Sequence, residues 1–129
     1  MSVPSNLKYT KSHEWVETEG EVLGCGITDY AQKEISDVVF VEVPPVGKTV
    51  TKGESIAVVE SVKAAFDIYA PVSGEIVEAN SDLESDPGMI NEDSYGKGWL
   101  FKIKPANTSE LDELMSTDSY EAHLASEAH

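Results

Sequence analysis

The residues able to do chemistry in this chain are few, and the first is a lysine. Lys63 lies in Glu60-Ser61-Val62-Lys63-Ala64-Ala65, where strand-like sequence on both sides encloses a short turn at Val62-Lys63. A lysine at such a tip has full solvent reach. Its neighbours Val62, Ala64 and Ala65 are small and uncharged, so an acylating enzyme can grasp it unobstructed. The ordinary alternative is a solvated charge that keeps strand edges from pairing with other chains. Cys25 is the only cysteine, so no disulfide forms within the chain, and dithiol chemistry requires an imported dithiol. Cys25 itself reads as a small core residue. His13 stands beside Trp15, while His123 and His129 fall in the tail; this spacing offers no ligand set, and no metal site is expected.

Charge narrows the partners. Twenty-four acidic residues against nine lysines and no arginine leave a formal charge of −15. Such a field repels nucleic-acid phosphates and anionic lipid, so neither nucleic acid nor membrane is expected as a partner. It favours docking on basic protein surfaces, and it equally serves solubility. No run of about eighteen apolar residues exists to span a bilayer. The start at residues 1–7 lacks a basic segment followed by an apolar one, and it lacks an Arg- and Ser-rich leader. The expected location is therefore a bacterial-type cytoplasm, with the mitochondrial matrix as the alternative if a presequence has been removed.

These residues need elements to hold them. At 129 residues the chain is expected to form a single domain, residues 1–129, with a core over about 7–120 and frayed residues at 125–129. Strand patterns cover residues 9–16 and 21–27, joined by a turn at Glu19-Gly20, and then 38–43, 55–59, 66–70, 74–79 and 99–103. In the last, Trp99, Phe101 and Ile103 are predicted to share one face and Lys102 and Lys104 the other. Thr28 is a predicted N-cap for a helix over 29–35. Ser109 is a predicted cap for a helix carrying Leu111, Leu114 and Met115, followed by a second helix including Tyr120 and Leu124. Turns at Pro44-Pro45-Val46-Gly47, Lys52-Gly53, Pro71-Val72-Ser73-Gly74, Pro87-Gly88 and Gly96-Lys97-Gly98 divide the strands. Short strands at this spacing predict a mainly β fold, a sandwich or flattened barrel. Pro44, Gly47, Val50 and Ile56 recur 27 residues later as Pro71, Gly74, Val77 and Leu83. The recurrence suggests two β-units about an approximate twofold, with Lys63 at the seam; chance coincidence is the competing reading.

A wider set of segments is recognisable. Ser12-His13-Glu14-Trp15-Val16, Gly26-Ile27-Thr28-Asp29-Tyr30-Ala31-Gln32, Val38-Val39-Phe40-Val41-Glu42 and the Lys63 turn closely resemble the glycine cleavage system H protein family. Tyr69-Ala70-Pro71-Val72-Ser73-Gly74-Glu75 and Gly98-Trp99-Leu100-Phe101-Lys102-Ile103 do so too, and the resemblance runs colinearly from about Leu7 to Tyr120. It implies a lipoyl-domain barrel-sandwich hybrid of two antiparallel sheets with short flanking helices and a helical C-terminal tail. It also implies lipoate bound covalently to Lys63 by an amide. Biotin-carrying relatives usually flank their lysine with methionines, and Val62 and Ala64 stand here instead.

The activity implied is that of a non-catalytic carrier in one-carbon metabolism and glycine catabolism. The lipoyl arm takes the aminomethyl group of glycine from a pyridoxal-phosphate glycine decarboxylase (P protein). A tetrahydrofolate-dependent aminomethyltransferase (T protein) removes it, and dihydrolipoamide dehydrogenase (L protein) reoxidises the arm. A lipoate ligase or a lipoyl/octanoyl transferase would load it. The family assigns contacts with the aminomethyl-lipoyl arm to the positions of Ser12, Glu14 and Asp67, and all three residue types are present here. Glu60 is a candidate for recognition by the modifying enzyme, or equally a solubilising strand-end charge. A relay protein that donates lipoyl groups to other lipoyl domains is the alternative role; a 2-oxoacid dehydrogenase lipoyl domain would bring a flexible linker and an acyltransferase domain. Three positions depart from the family pattern: Ser36 where glycine is usual after the first helix, Cys25 for a branched aliphatic, and Phe66 for a small or polar residue.

Overall fold

The computed structural model describes residues 3–127, the side chain of residue 127 excepted. In chain order the strands are β1 (Lys8–Tyr9), β2 (Glu14–Glu19), β3 (Val22–Ile27), β4 (Val38–Glu42), β5 (Thr49–Val50), β6 (Ser55–Ser61), β7 (Ala65–Tyr69), β8 (Gly74–Ala79) and β9 (Phe101–Pro105). The helices are α1 (Asp29–Ile35), α2 (Asp82–Ser85), α3 (Met89–Glu92) and α4 (Thr117–Glu127), with a 3-10 turn at Thr108–Glu113. The strands form two antiparallel sheets, a six-stranded one in the order β1-β2-β3-β9-β8-β5 and a three-stranded one in the order β4-β6-β7.

Alternation explains the layers. Ile56, Val59, Ile68 and Val41 from the smaller sheet meet Val16, Ile27, Ile76, Phe101 and Ile103 from the larger one in a continuous apolar cluster. A second cluster of Leu7, Tyr9, Trp15 and Tyr120 seats α4 on the larger sheet. The Tyr9 and Tyr120 rings stack with centroids 4.5 Å apart. Helix α1 begins where Thr28 accepts the Ala31 N–H at 3.2 Å, as its sequence predicts. Ser36, which ends it, has φ 74° and ψ −153°, a conformation that favours glycine. It is held there by Asn91, whose amide donates to the Ser36 carbonyl at 2.8 Å and whose oxygen accepts the Val38 N–H at 2.9 Å.

The structure departs from the predicted elements in informative places. Residues 9–16 are not one strand. The chain reverses at residues 10–13, with His13 at φ 72°, so that Tyr9 pairs back on Trp15. Trp99 precedes β9 rather than joining it, half-buried beneath Lys102, whose Nζ lies 5.4 Å from its ring centroid. Asn107, not Ser109, caps the 3-10 turn, accepting the Ser109 N–H at 3.0 Å. The 27-residue recurrence is partial. Its first halves do face one another, β5 pairing antiparallel with β8 through Val50 opposite Gly74. Ile56 then lies in a strand and Leu83 in α2. The two glycines also serve different ends: Gly47 has φ 94°, whereas a Cβ on Gly74 would lie 2.1 Å from the Lys104 carbonyl oxygen. Residues 125–127 continue α4, and 128–129 lie outside the described residues.

Candidate functional site

Lys63 is exposed at the tip of the β6–β7 hairpin. Two-residue hairpin loops normally use backbone with positive φ, supplied by glycine or asparagine. Neither Val62 nor Lys63 has it. A side chain compensates: the buried Ser61 hydroxyl accepts the N–H groups of Lys63 at 3.1 Å and Ala64 at 3.3 Å. The Ser61 N–H donates to the Ala64 carbonyl at 2.9 Å and closes the ladder. The tip is thus a rigid stage with a free lysine side chain upon it. A serine directly before a loop lacking glycine and asparagine was the signal available in the sequence, and only the geometry reveals its use.

The strands descending from the tip lead to a cleft between the sheets. Glu14, on β2, is only 1% exposed. Its carboxyl accepts the Thr10 hydroxyl, the Ser12 hydroxyl at 2.6 Å and, from β7 of the other sheet, the Tyr69 N–H at 3.3 Å. The chain reversal at residues 10–13 makes this possible, because it folds both hydroxyls back over Glu14. The Glu14 N–H donates to Thr10 Oγ1 at 3.0 Å in return. Glu14, Ser12, Thr10 and Tyr69 line a cavity of about 400 Å3, walled on its apolar side by Leu114 and Met115. Lys52, paired to Glu113 at 2.6 Å, stands in the same lining. A second cavity of about 290 Å3 adjoins it, lined by Ser12, His13, Tyr30, Phe66 and Asp67.

Ser12 and Glu14 therefore meet directly, whereas Asp67 shares with Ser12 only the lining of the second cavity, which Glu14 does not line. Asp67 is exposed on β7, four residues from Lys63. Phe66, its neighbour on β7, is half-buried against the core and lines the second cavity as well. Glu60 stands on the solvent side of β6, between Phe40 and Ala65 on the flanking strands. Thr10, Tyr69 and Ser61 are the members that sequence reasoning missed. Cys25 lies nearby but is inert: burial pushes its thiol well above the ordinary range, and the Glu14 and Glu19 charges push it further.

Two of the histidines, His13 and His123, sit closer together than the sequence suggests. The His13 and His123 rings are 5.6 Å apart, and His13 Nδ1 lies 2.9 Å from the Tyr120 hydroxyl. Among the described residues no group of three or more His, Cys, Asp or Glu side chains is placed to hold a metal ion. Nor is any described helix long and apolar enough to cross a membrane.

A family model described as Glycine cleavage H-protein matches residues 7–127. The chain is 56% identical over 124 residues to the Glycine cleavage system H protein of Acinetobacter baumannii, covering 96% of this chain and 100% of that one. It is 55% identical over 128 residues to the protein of the same name from Thermus thermophilus, covering 99% of this chain and 100% of that one. The crystal structure of a glycine cleavage system H protein from Mycobacterium marinum superposes with a TM-score of 0.88 at 38% identity, covering 95% of this chain and 99% of that one.

Proposed function

The chain belongs to the glycine cleavage H-protein family, a non-catalytic component of that system, and from this premise we propose that Lys63 carries a lipoyl group and that the cleft at Glu14 shelters its cargo. The observation that carries the reading is the hairpin itself: an exposed lysine on a tip stiffened by Ser61, with β7 running from it to the cleft.

Distances support it. From Lys63 to Asp67 is four residues of extended strand, about 13 Å, and to Tyr69 about 20 Å. A lysine side chain extended by an eight-carbon acyl chain reaches on the order of 14 Å. An arm anchored at Lys63 and laid along β7 therefore ends near Asp67, with the Ser12 and Glu14 cavity beyond. The residues also fit the group. Phe66, Tyr30 and Ile35 offer apolar surface to a hydrocarbon arm, and Asp67, Ser12 and Glu14 offer oxygen acceptors to an ammonium at its end.

The group supplies the dithiol that a chain with one buried cysteine lacks. The chain's own residues bind, orient and exclude water, protecting an aminomethyl group prone to hydrolysis. The carrier takes that group from glycine decarboxylase, yields it to the tetrahydrofolate-dependent aminomethyltransferase, and is restored by dihydrolipoamide dehydrogenase. Glu60 would aid recognition by the loading enzyme. The bacterial relatives support a cytoplasmic setting.

The test is intact mass after incubation with lipoate ligase, lipoate and ATP, beside Lys63→Arg. One lipoyl increment on the parent and none on the variant is expected. An unmodified parent, or a modified variant, overturns the reading. Glycine decarboxylase assayed with the loaded chain then tests the carrier role.

A further inference from the structure

The outer face of the three-stranded sheet is unusual for a solvated surface. Val39, Phe40 and Val62 are 54%, 46% and 72% exposed. They surround the Lys63 tip, because Val38 pairs with Ser61 and Phe40 with Glu60. The ladder slips between Val38 and Phe40, and this bulge turns both Val39 and Phe40 outward on what is also an edge strand. Exposed apolar side chains on a sheet edge invite unwanted pairing, so their clustering beside the exposed Lys63 calls for an occupant.

Charge identifies it. The register sets Phe40, Glu60 and Ala65 in one outward row and Glu42, Val58 and Asp67 in the next. Among the described residues, Glu42, Glu60 and Asp67 have no ion-pair partner, and no lysine stands in either row. The face is thus an apolar strip along β4 and the hairpin tip, flanked by acids on β4, β6 and β7, complementary to an apolar recess bordered by Lys or Arg.

We propose that this face, centred on Val39, Phe40 and Val62 and rimmed by Glu42 and Glu60, docks the enzyme that acylates Lys63; the inference rests on Lys63 being the modified residue. The reach of the lysine favours that occupant over the enzymes that use the loaded arm. An acylating enzyme must bring Lys63 Nζ itself to its acyl adenylate, so its surface lies within one side chain of the tip. The neutral amine attacks the acyl carbonyl, a C–N bond forms, the acyl–phosphate bond breaks, AMP departs and the amine releases a proton to solvent. Enzymes that meet the end of the arm act on the order of 14 Å from the tip backbone, about 8 Å beyond Nζ.

The test is the steady-state rate of lipoylation of the apo chain by a lipoate ligase with lipoate and ATP, for the parent, Phe40→Ser, Glu42→Lys and Val46→Ser. Val46 is as exposed but lies in the β4–β5 loop away from the face. Phe40→Ser and Glu42→Lys are expected to raise KM roughly fivefold to tenfold with kcat within about twofold, and Val46→Ser to match the parent. The parent's KM rises with salt, and less steeply after Glu42→Lys. Circular dichroism confirms that each variant is folded. A parent modified at Lys63 whose KM is indifferent to Phe40 and Glu42 overturns the docking face while leaving the lipoyl reading intact. So does a KM unchanged for lipoylation but raised for glycine decarboxylase, or a parent found dimeric by sedimentation and made monomeric by Phe40→Ser. A parent that never gains the lipoyl increment overturns both.

Discussion

At the scale of the residue, the site depends on side chains doing what backbone or cofactor usually would. Ser61 replaces the glycine of a hairpin turn, accepting two N–H groups that solvent would otherwise compete for. Ser61→Ala should cost about 1 kcal/mol and speed amide exchange at Lys63 and Ala64, with Ser61→Thr restoring protection. Unchanged exchange in the alanine variant would show that the turn holds itself. Glu14 is the second such residue, a buried carboxyl satisfied by two hydroxyls and one N–H drawn from both sheets. Glu14→Gln puts an amide donor where hydroxyl and N–H donors already point. It should destabilise the chain by about 1–3 kcal/mol and shorten the lifetime of the aminomethyl-loaded carrier in water. A loaded variant as long-lived as the parent would remove Glu14 from the sheltering role.

At the scale of the element, strain sits where the first helix hands over to β4. Ser36 adopts a conformation suited to glycine, and Asn91 on α3 holds it. Ser36→Gly should relieve about 1 kcal/mol, raising Tm by about 3–5 °C for a chain of this size. A lower Tm would mean that the serine side chain contributes something its geometry does not reveal. Gly74 behaves oppositely: a Cβ there meets the β9 backbone at 2.1 Å, so Gly74→Ala should destabilise by about 1–3 kcal/mol and broaden β8–β9 amide signals. That position is closed by packing, not by dihedral preference.

At the scale of the whole molecule, the two sheets bury groups that resist losing protons. Burial raises Tyr9 to about 12 from an ordinary 10.0, the Tyr95 and Glu121 charges adding to it and a Thr117 hydrogen bond opposing it. Cys25 is raised well above 9.0, chiefly by burial. In each case the unfolded chain releases its proton first, so it binds fewer protons than the folded one at alkaline pH. The stability these groups contribute is complete below pH 9 and declines as pH rises past 9 for Cys25 and from 10 through about 12 for Tyr9. Urea midpoints at rising pH should fall less steeply for Tyr9→Phe than for the parent. Equal slopes would mean that the Tyr9 hydroxyl is not shielded. Iodoacetamide at pH 8 should leave Cys25 intact until the chain is unfolded.

The sequence by itself determined most of the strand alternation, the α1 cap at Thr28 and the hairpin around Lys63, because these depend on local periodicity and turn chemistry, while colinear motifs singled out Ser12, Glu14 and Asp67 as candidates. The family resemblance also marked Ser36 as a position where glycine is usual after the first helix. Only the tertiary structure decided that residues 10–13 reverse the chain, since Thr10, Ser12 and His13 carry no glycine or proline signal and the turn is stabilised by a carboxyl it encloses. It alone joined Glu14 to the Tyr69 N–H across two sheets, seated α4 through Tyr120 on Tyr9, and turned Val39 and Phe40 outward together. Each is a relation between residues distant in sequence or shifted by a bulge, and a one-residue slip in register reverses which face a side chain takes.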